Sequence, residues 1–401
     1  MGRARWPYGL VAVLVAGGLC ACEGHIAGAG GGDGPGAHDQ DASPGADGPP
    51  GDARPADDGG PGDGGPGDGA AGDAGELPPL SHQTFLIGYN EAWFGGNFGT
   101  DYSTAFDLDY EKKVFDGIVA AGGHLVRLFV FQMPQGITLG ASPPLSQSVS
   151  ADVLANVDAT LTEARKRGLW VYLTILDACT IVKIVDPYHT WGLDILTNAS
   201  GGRDAFNENA LAPLLGVVDA HQEGIFGIDI INEIQAAMQN GVFADSWNDA
   251  RAFLAAEAAF IKTNLPWVRV TATAGWPSDI LQTGAQYDIA NGLYTGLGLD
   301  FYDLHAYYDS GSYTGATAMC NRALLDGVPI YLGEFGQKTH SEDDTLQYNA
   351  TAAFLNNSIG LCFKGAFAWR YDPAEAWLHY MRADWTPRPA VTAMQAFGGL
   401  P

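Results

Sequence analysis

The stretch FGIDIINEI, from Phe226 to Ile234, is apolar almost throughout and ends on an Asn-Glu pair at Asn232 and Glu233. A short run with apolar residues at both alternating positions reads as a strand covered on both faces, the habit of a parallel sheet. Seven other runs share this character: TFLIGYN from Thr84, LVRLFVF from Leu125, WVYLTILD from Trp170, VRVTATAGW from Val268, DFYDLHAYY from Asp300, PIYLGEFG from Pro329 and FKGAFAWRYD from Phe363. Helical patterns separate them. The clearest are EKKVFDGIVAAGG from Glu111, ADVLANVDATLTEARKRG from Ala151, WNDARAFLAAEAAFIKTN from Trp247, TLQYNATAAFLNNSIG from Thr345 and RPAVTAMQAF from Arg388. Several end in Gly, which tolerates the left-handed conformation after a helix. Eight strand–helix units predict an α/β fold, a (β/α)8 TIM barrel, over residues 80–401. A doubly wound open sheet would want a Gly-rich phosphate turn after an early strand, and none follows TFLIGYN or LVRLFVF.

Outward from the barrel, the first residues read as an export signal over 1–21. Arg3 and Arg5 precede an apolar stretch from Leu10 to Leu19 that is too short to span a bilayer. Leu19-Cys20-Ala21-Cys22 resembles a bacterial lipobox, which implies cleavage before Cys22 and lipidation of its thiol. An ordinary cleaved signal with two incidental cysteines is the alternative. The expected location is therefore exported: a cell-surface or outer-membrane lipoprotein, or a secreted protein.

Residues 22–79 are Gly, Asp, Pro and Ala with almost no large apolar side chain, so they cannot bury enough surface to offset the entropy of ordering. They read as a disordered tether with a reach of roughly 40 Å. The tether carries 12 acids against Arg54, and from Pro79 on the chain has 34 acids and 17 bases. That excess of negative charge argues against nucleic acid and anionic lipid as partners and suits an enzyme acting on a neutral polymer. Cys179, Cys320 and Cys362 lack the spacing of a zinc site or a disulfide framework. One bridge is possible, and the simpler expectation is three buried thiols.

A barrel enzyme collects reactive side chains where strands run into their helices. The polar and aromatic residues at those ends are Asn90 and Trp93 (first strand), Arg127 (second), Asp177 (third), Asn232 and Glu233 (fourth), Trp276 (fifth), His305 and Tyr307 (sixth), Glu334 (seventh), and Trp369, Arg370 and Asp372 (eighth). Two carboxylates facing each other across the mouth are what glycoside cleavage requires, one as acid and one as nucleophile or base. A lone Glu at a strand end would more simply be the partner of a nearby Arg. The pair with this company points to catalysis.

IINEI, LHAYY, YLGEFG and AFAWRY resemble the motifs of the fourth, sixth, seventh and eighth strands in glycoside hydrolases of clan A, family 5 above all. The resemblance covers the whole barrel and none of the tether. It implies Glu233 as acid/base and Glu334 as nucleophile, in a retaining hydrolase of β-1,4-linked polysaccharide. It implies that Asn232 binds the sugar 2-hydroxyl, that Arg127 keeps the nucleophile charged, and that His305 and Tyr307 orient the two glutamates. Trp369 would floor the sugar site, with Asn90, Trp93 and Trp276 as further substrate contacts. Many family 5 cellulases have a His at the end of the third strand, where this chain has Asp177; His189 lies in the following loop. The β-mannanase branch resembles the chain better, through IGYNEAWF and DFYDLHAYY, and β-mannan is the favoured substrate. A β-1,4-glucan remains the alternative, and xylan, mixed-linkage and exo action stay open. A non-hydrolytic carbohydrate-binding barrel or a transglycosylase would share the same groove.

The remaining readings are blander. Trp191, Trp247, Trp377 and Trp385 divide evenly between packing and sugar platforms. Asp372 and Glu375 read as solvated groups, since YDPAEAW lacks the oxygen spacing of a calcium loop. His124, His221 and His379 stand at no metal spacing. The sequence implies no cofactor and no metal, and a monomer whose partner is polysaccharide.

Overall fold

The structure is a computed structural model that describes Leu77 and residues 85–398, except 184–187, 241, 244–246, 276–288, 290–291, 309–314, 338–342 and 374–377. The expected leader, Cys22, Trp276, Glu375, Trp377 and, apart from Leu77, the tether lie outside the described residues. The strands form the expected (β/α)8 barrel. In order they are Leu86–Asn90, Leu125–Phe129, Trp170–Asp177, Ile225–Asn232, the pair Val270–Thr271 and Thr273–Ala274, Tyr302–Tyr307, Ile330–Gly336 and Gly365–Ala368. All neighbours pair in parallel, and the first strand pairs with both the second and the last. The two dipeptides flanking Ala272 are halves of the fifth strand: one pairs with the fourth strand and the other with the sixth.

Every residue of the long third, fourth and seventh strands is buried, because the strands have helices outside and packed side chains inside. The helices carry their apolar residues on one stripe. In Ala151–Lys166, Val153, Val157, Leu161 and Ala164 are buried at helical spacing, and the Ser150 hydroxyl caps the start by accepting from the Asp152 N–H. Asp107 caps Leu108–Ala120 in the same way through Tyr110.

The end of the barrel where the strands begin is plugged by Leu86, Leu125, Trp170, Tyr172, Phe226, Phe301, Tyr331 and Phe367, against which Leu77 packs. The Arg269 guanidinium lies 4.6 Å from the Phe226 ring and 4.7 Å from that of Phe301. At the opposite end, where the strands finish, the buried polar side chains gather. The registers there set Asn90 beside Arg127, Asp177 beside Asn232, and His305 beside Glu334. A register shift between Leu332 and Glu334 accompanies Gly333. A Cβ on Gly333 would lie 2.0 Å from Asp303 Oδ1, so only glycine fits, and the irregularity re-aims Glu334.

The expectation of three buried thiols is overturned. Cys320, in helix Ala316–Asp326, is bonded to Cys362 beyond helix Asp344–Gly360, with 5.7 Å between Cα atoms. The bridge closes a loop with a sequence separation of 42, for which loop entropy gives about 4 kcal/mol of stabilisation. Two further departures are the hairpin Ile137–Leu139 with Ser146–Val149, and the short helices Ala178–Lys183 and Tyr188–Thr197 after the third strand.

Candidate active site

Arg127 organises the floor of the site. It is fully buried, and its two terminal nitrogens face four acceptors. Nη1 donates to Glu334 Oε1 at 2.5 Å and to Asn90 Oδ1 at 3.1 Å. Nη2 donates to Asp229 Oδ2 at 2.8 Å and to Asn232 Oδ1 at 2.9 Å. Burial opposes the guanidinium charge, but Glu334 and Asp229 outweigh it and raise the Arg127 pKa further above its ordinary value. Its planar fork allows one side chain to hold four partners at once.

Glu334 is buried, and its second oxygen accepts from the Tyr307 hydroxyl at 2.6 Å. Burial pushes this carboxyl up; His305, Arg127 and Tyr307 pull it back, and Glu233 adds to the rise. Glu233 stands opposite. His305 Nδ1 lies 2.9 Å from Glu233 Oε1 and 3.4 Å from Glu334 Oε2. Burial lowers His305 to about 3, so it is neutral at physiological pH. With a carboxylate on each side of Nδ1, the single proton belongs there. Each of the three side chains places one polar atom within 4.8 Å of the others. His305 Nδ1 thus faces a carboxylate oxygen of each glutamate.

The backbone of Glu233 is left-handed, at φ 47°, a conformation that costs a non-glycine residue roughly 1–2 kcal/mol. The Thr273 hydroxyl holds it there by accepting the Glu233 N–H at 2.9 Å. Strain of this kind is concentrated where function demands a particular direction.

Asn90, expected as a substrate contact, lies beneath Arg127. It is fully buried, its oxygen accepts from Arg127, and its amide donates to Gly333 O at 2.9 Å and Phe367 O at 3.2 Å. It supports Arg127 from below. Trp369 and the half-buried Trp93 meet edge to face at 5.7 Å, and Phe129 lies 6.5 Å from Trp369. Together with Tyr307 they form an aromatic wall beside Glu334, of the kind that complements the C–H face of a sugar.

Asp372 also differs from expectation. It is fully buried rather than solvated, 2.6 Å from Arg370 Nη2, which lies equally close to Glu91 Oε1. Arg370 also donates to Trp93 O, and its guanidinium lies 4.7 Å from the Trp93 ring. This network anchors the loop that carries Trp93. Trp191 is core: it is buried against Phe206 and donates to Ser146 Oγ at 2.9 Å. Trp385 lies beneath the Lys113 ammonium, 3.7 Å from the ring centroid. Trp247 is half-buried beside Arg251.

Two carboxyls missing from the sequence reading lie inside the barrel. Asp229 binds Arg127 and accepts from Thr174 Oγ1 at 3.0 Å. Asp303 accepts from the Tyr172 hydroxyl at 2.6 Å and is pushed up to about 8 by burial. Their signal was present: each is an acid at an interior position of an otherwise apolar strand, and such a charge needs a buried partner.

No family model and no curated protein matches the sequence. Solved structures do match the fold. A β-mannanase from the blue mussel Mytilus edulis aligns at TM-score 0.57 and 18% identity, over 79% of this chain and 92% of that one. A β-1,4-D-mannanase from Cryptopygus antarcticus aligns at TM-score 0.60 and 16% identity, over 79% and 91%. An exo-β-1,4-mannosidase from Opitutaceae bacterium strain TAV5 aligns at TM-score 0.58 and 15% identity, over 78% and 59%.

Proposed function

We propose that this protein is a retaining glycoside hydrolase that cleaves a β-1,4-linked polysaccharide, with β-mannan as the favoured substrate. The observation that carries the reading is that a carboxyl oxygen of Glu233 lies within 4.8 Å of one of Glu334 where the strands end. Inversion needs room for a water between the carboxyls, and a separation of about 6.5–9.5 Å. Their surroundings support distinct roles. Arg127 and Tyr307 bind Glu334 and favour its anion, as a nucleophile requires; His305 holds Glu233.

In the first step a Glu334 oxygen bonds to the anomeric carbon, while the Glu233 proton passes to the departing glycosidic oxygen. The sugar is then esterified to Glu334. In the second step Glu233 takes a proton from water, whose oxygen displaces Glu334 and releases a product of the original configuration.

Support for mannan over glucan comes from Asp177 in place of the third-strand His, and from the mannanase and mannosidase names among the structural neighbours. Reducing-sugar release from mannan, glucomannan, cellulose derivatives, β-glucan and xylan tests this. Release should be fastest on mannan by about ten-fold or more, in line with ordinary binding discrimination. Faster release from a cellulose derivative would move the substrate to glucan. The reading includes export and a lipid anchor at Cys22. Loss of Cys22→Ala from the membrane fraction would support the anchor, and unchanged retention would remove it.

A further inference from the structure

Asp177 ends the third strand beside Asn232, and its carboxylate is surrounded by donors. Oδ1 accepts from Asn232 Nδ2 at 3.0 Å and from the Cys179 N–H at 3.2 Å. Oδ2 accepts from the Thr180 hydroxyl and from Gln132 Nε2 at 3.4 Å. The Asn232 amide therefore lies between a fixed donor and a fixed acceptor. Its oxygen faces the Arg127 guanidinium at 2.9 Å and its nitrogen faces the Asp177 carboxylate. Rotating the amide by half a turn would set donor against donor and acceptor against acceptor, so only one orientation is stable.

A primary amide has two N–H groups. One is used on Asp177, and the other has no protein acceptor among the described residues. Asn232 precedes Glu233 and shares Arg127 with Glu334. Its second N–H thus belongs to the space next to the carbon that the two carboxylates flank. The substituents next to an anomeric carbon are the ring oxygen and the 2-hydroxyl.

We infer that Asp177 is a positioning residue for the sugar 2-hydroxyl: it locks the Asn232 amide so that its second N–H donates there as the transition state forms. The inference rests on the glycosidase reading above. Asp177 touches no reacting atom in this account. Its effect is routed through Asn232, and it is therefore confined to substrates that have a 2-hydroxyl to receive the bond.

The test compares two aryl β-mannobiosides that differ only in the 2-hydroxyl of the sugar bearing the aryl group. kcat/KM is measured for the wild type, Asp177→Ala, Asp177→Ser and Asn232→Ala. Serine is too short to reach Asn232 but can still cap the helix that begins at Ala178, so it keeps the test open if the alanine variant does not fold. On the parent substrate, both Asp177 variants should lose about ten-fold or more, the scale of one charge-assisted hydrogen bond. On the 2-deoxy substrate the Asp177 variants should lose less than about two-fold, and Asn232→Ala, which also takes an acceptor from Arg127, should lose activity on both substrates but more on the parent. An equal loss on both substrates, or no loss on the parent, would overturn the inference. A wild type that turns over neither substrate would instead overturn the glycosidase reading, and this inference with it.

Discussion

Arg127 shows most clearly how single side chains set the chemistry. One buried cation serves two carboxylates, Glu334 and Asp229, and two amide oxygens, those of Asn90 and Asn232. Lysine keeps the charge but has no planar fork, so it cannot satisfy all four. In Arg127→Lys the Glu334 carboxyl, already raised by burial, should rise further. A nucleophile must be ionised, so the acid limb of the kcat/KM profile should move to higher pH by about one pH unit or more. Activity at neutral pH should fall on the order of 100-fold, the usual scale for breaking a buried ion pair. A profile lowered in height with its acid limb unmoved would show that Arg127 does not tune Glu334. Arg127, Glu233 and Glu334 stood out in the sequence because each is a charged residue in or just after an apolar strand, in a motif with partners. Asp372 was misread as solvated for a physical reason. A polar residue at a strand end can turn inward to the barrel or sideways to the next loop, and only the packing decides which.

At the scale of elements, strands and helices were legible for different reasons. The strands stood out because both faces are apolar; the helices, because Val153, Val157, Leu161 and their like recur at helical spacing. The fifth strand was expected from Val268 as one run and is two dipeptides, each bonded to a different neighbour. The Cys320–Cys362 bond was not legible, since it depends on two helical segments meeting in space. Helix-to-helix contacts also conceal acids. Glu111, in Leu108–Ala120, is buried against the next helix, where Oε2 accepts from Thr160 Oγ1 at 2.6 Å. Oε1 has no partner among the described residues, and burial pushes this carboxyl up to about 8. A folded-state pKa above the unfolded value means that stability is fully present below about 4.5 and is lost as pH rises through about 8. Asp101 and Glu257, each pushed up to about 7 by burial, act with the same sign. The melting temperature should therefore fall between pH 5 and pH 9. Glu111→Gln removes one titrating group and should flatten that fall, leaving the variant more stable than the wild type at pH 9. An unchanged slope would mean that Glu111 ionises as freely when folded as when unfolded.

For the whole molecule, two features fit the proposed substrate. The chain has a formal net charge of −26, which disfavours acidic polymers. The barrel mouth sets an aromatic wall beside two glutamates, an arrangement suited to a neutral sugar chain. The central claim is the division of labour between those glutamates, and the most direct measurement uses a dinitrophenyl β-glycoside of the preferred sugar. Its leaving group departs without protonation, so only the nucleophile is indispensable to the first step. Glu233→Ala should release a burst of dinitrophenol and then stall, and azide should restore turnover and give the β-configured glycosyl azide. Glu334→Ala should release none. A burst from Glu334→Ala with none from Glu233→Ala would reverse the roles, and wild-type activity on polysaccharide in both variants would contradict the account.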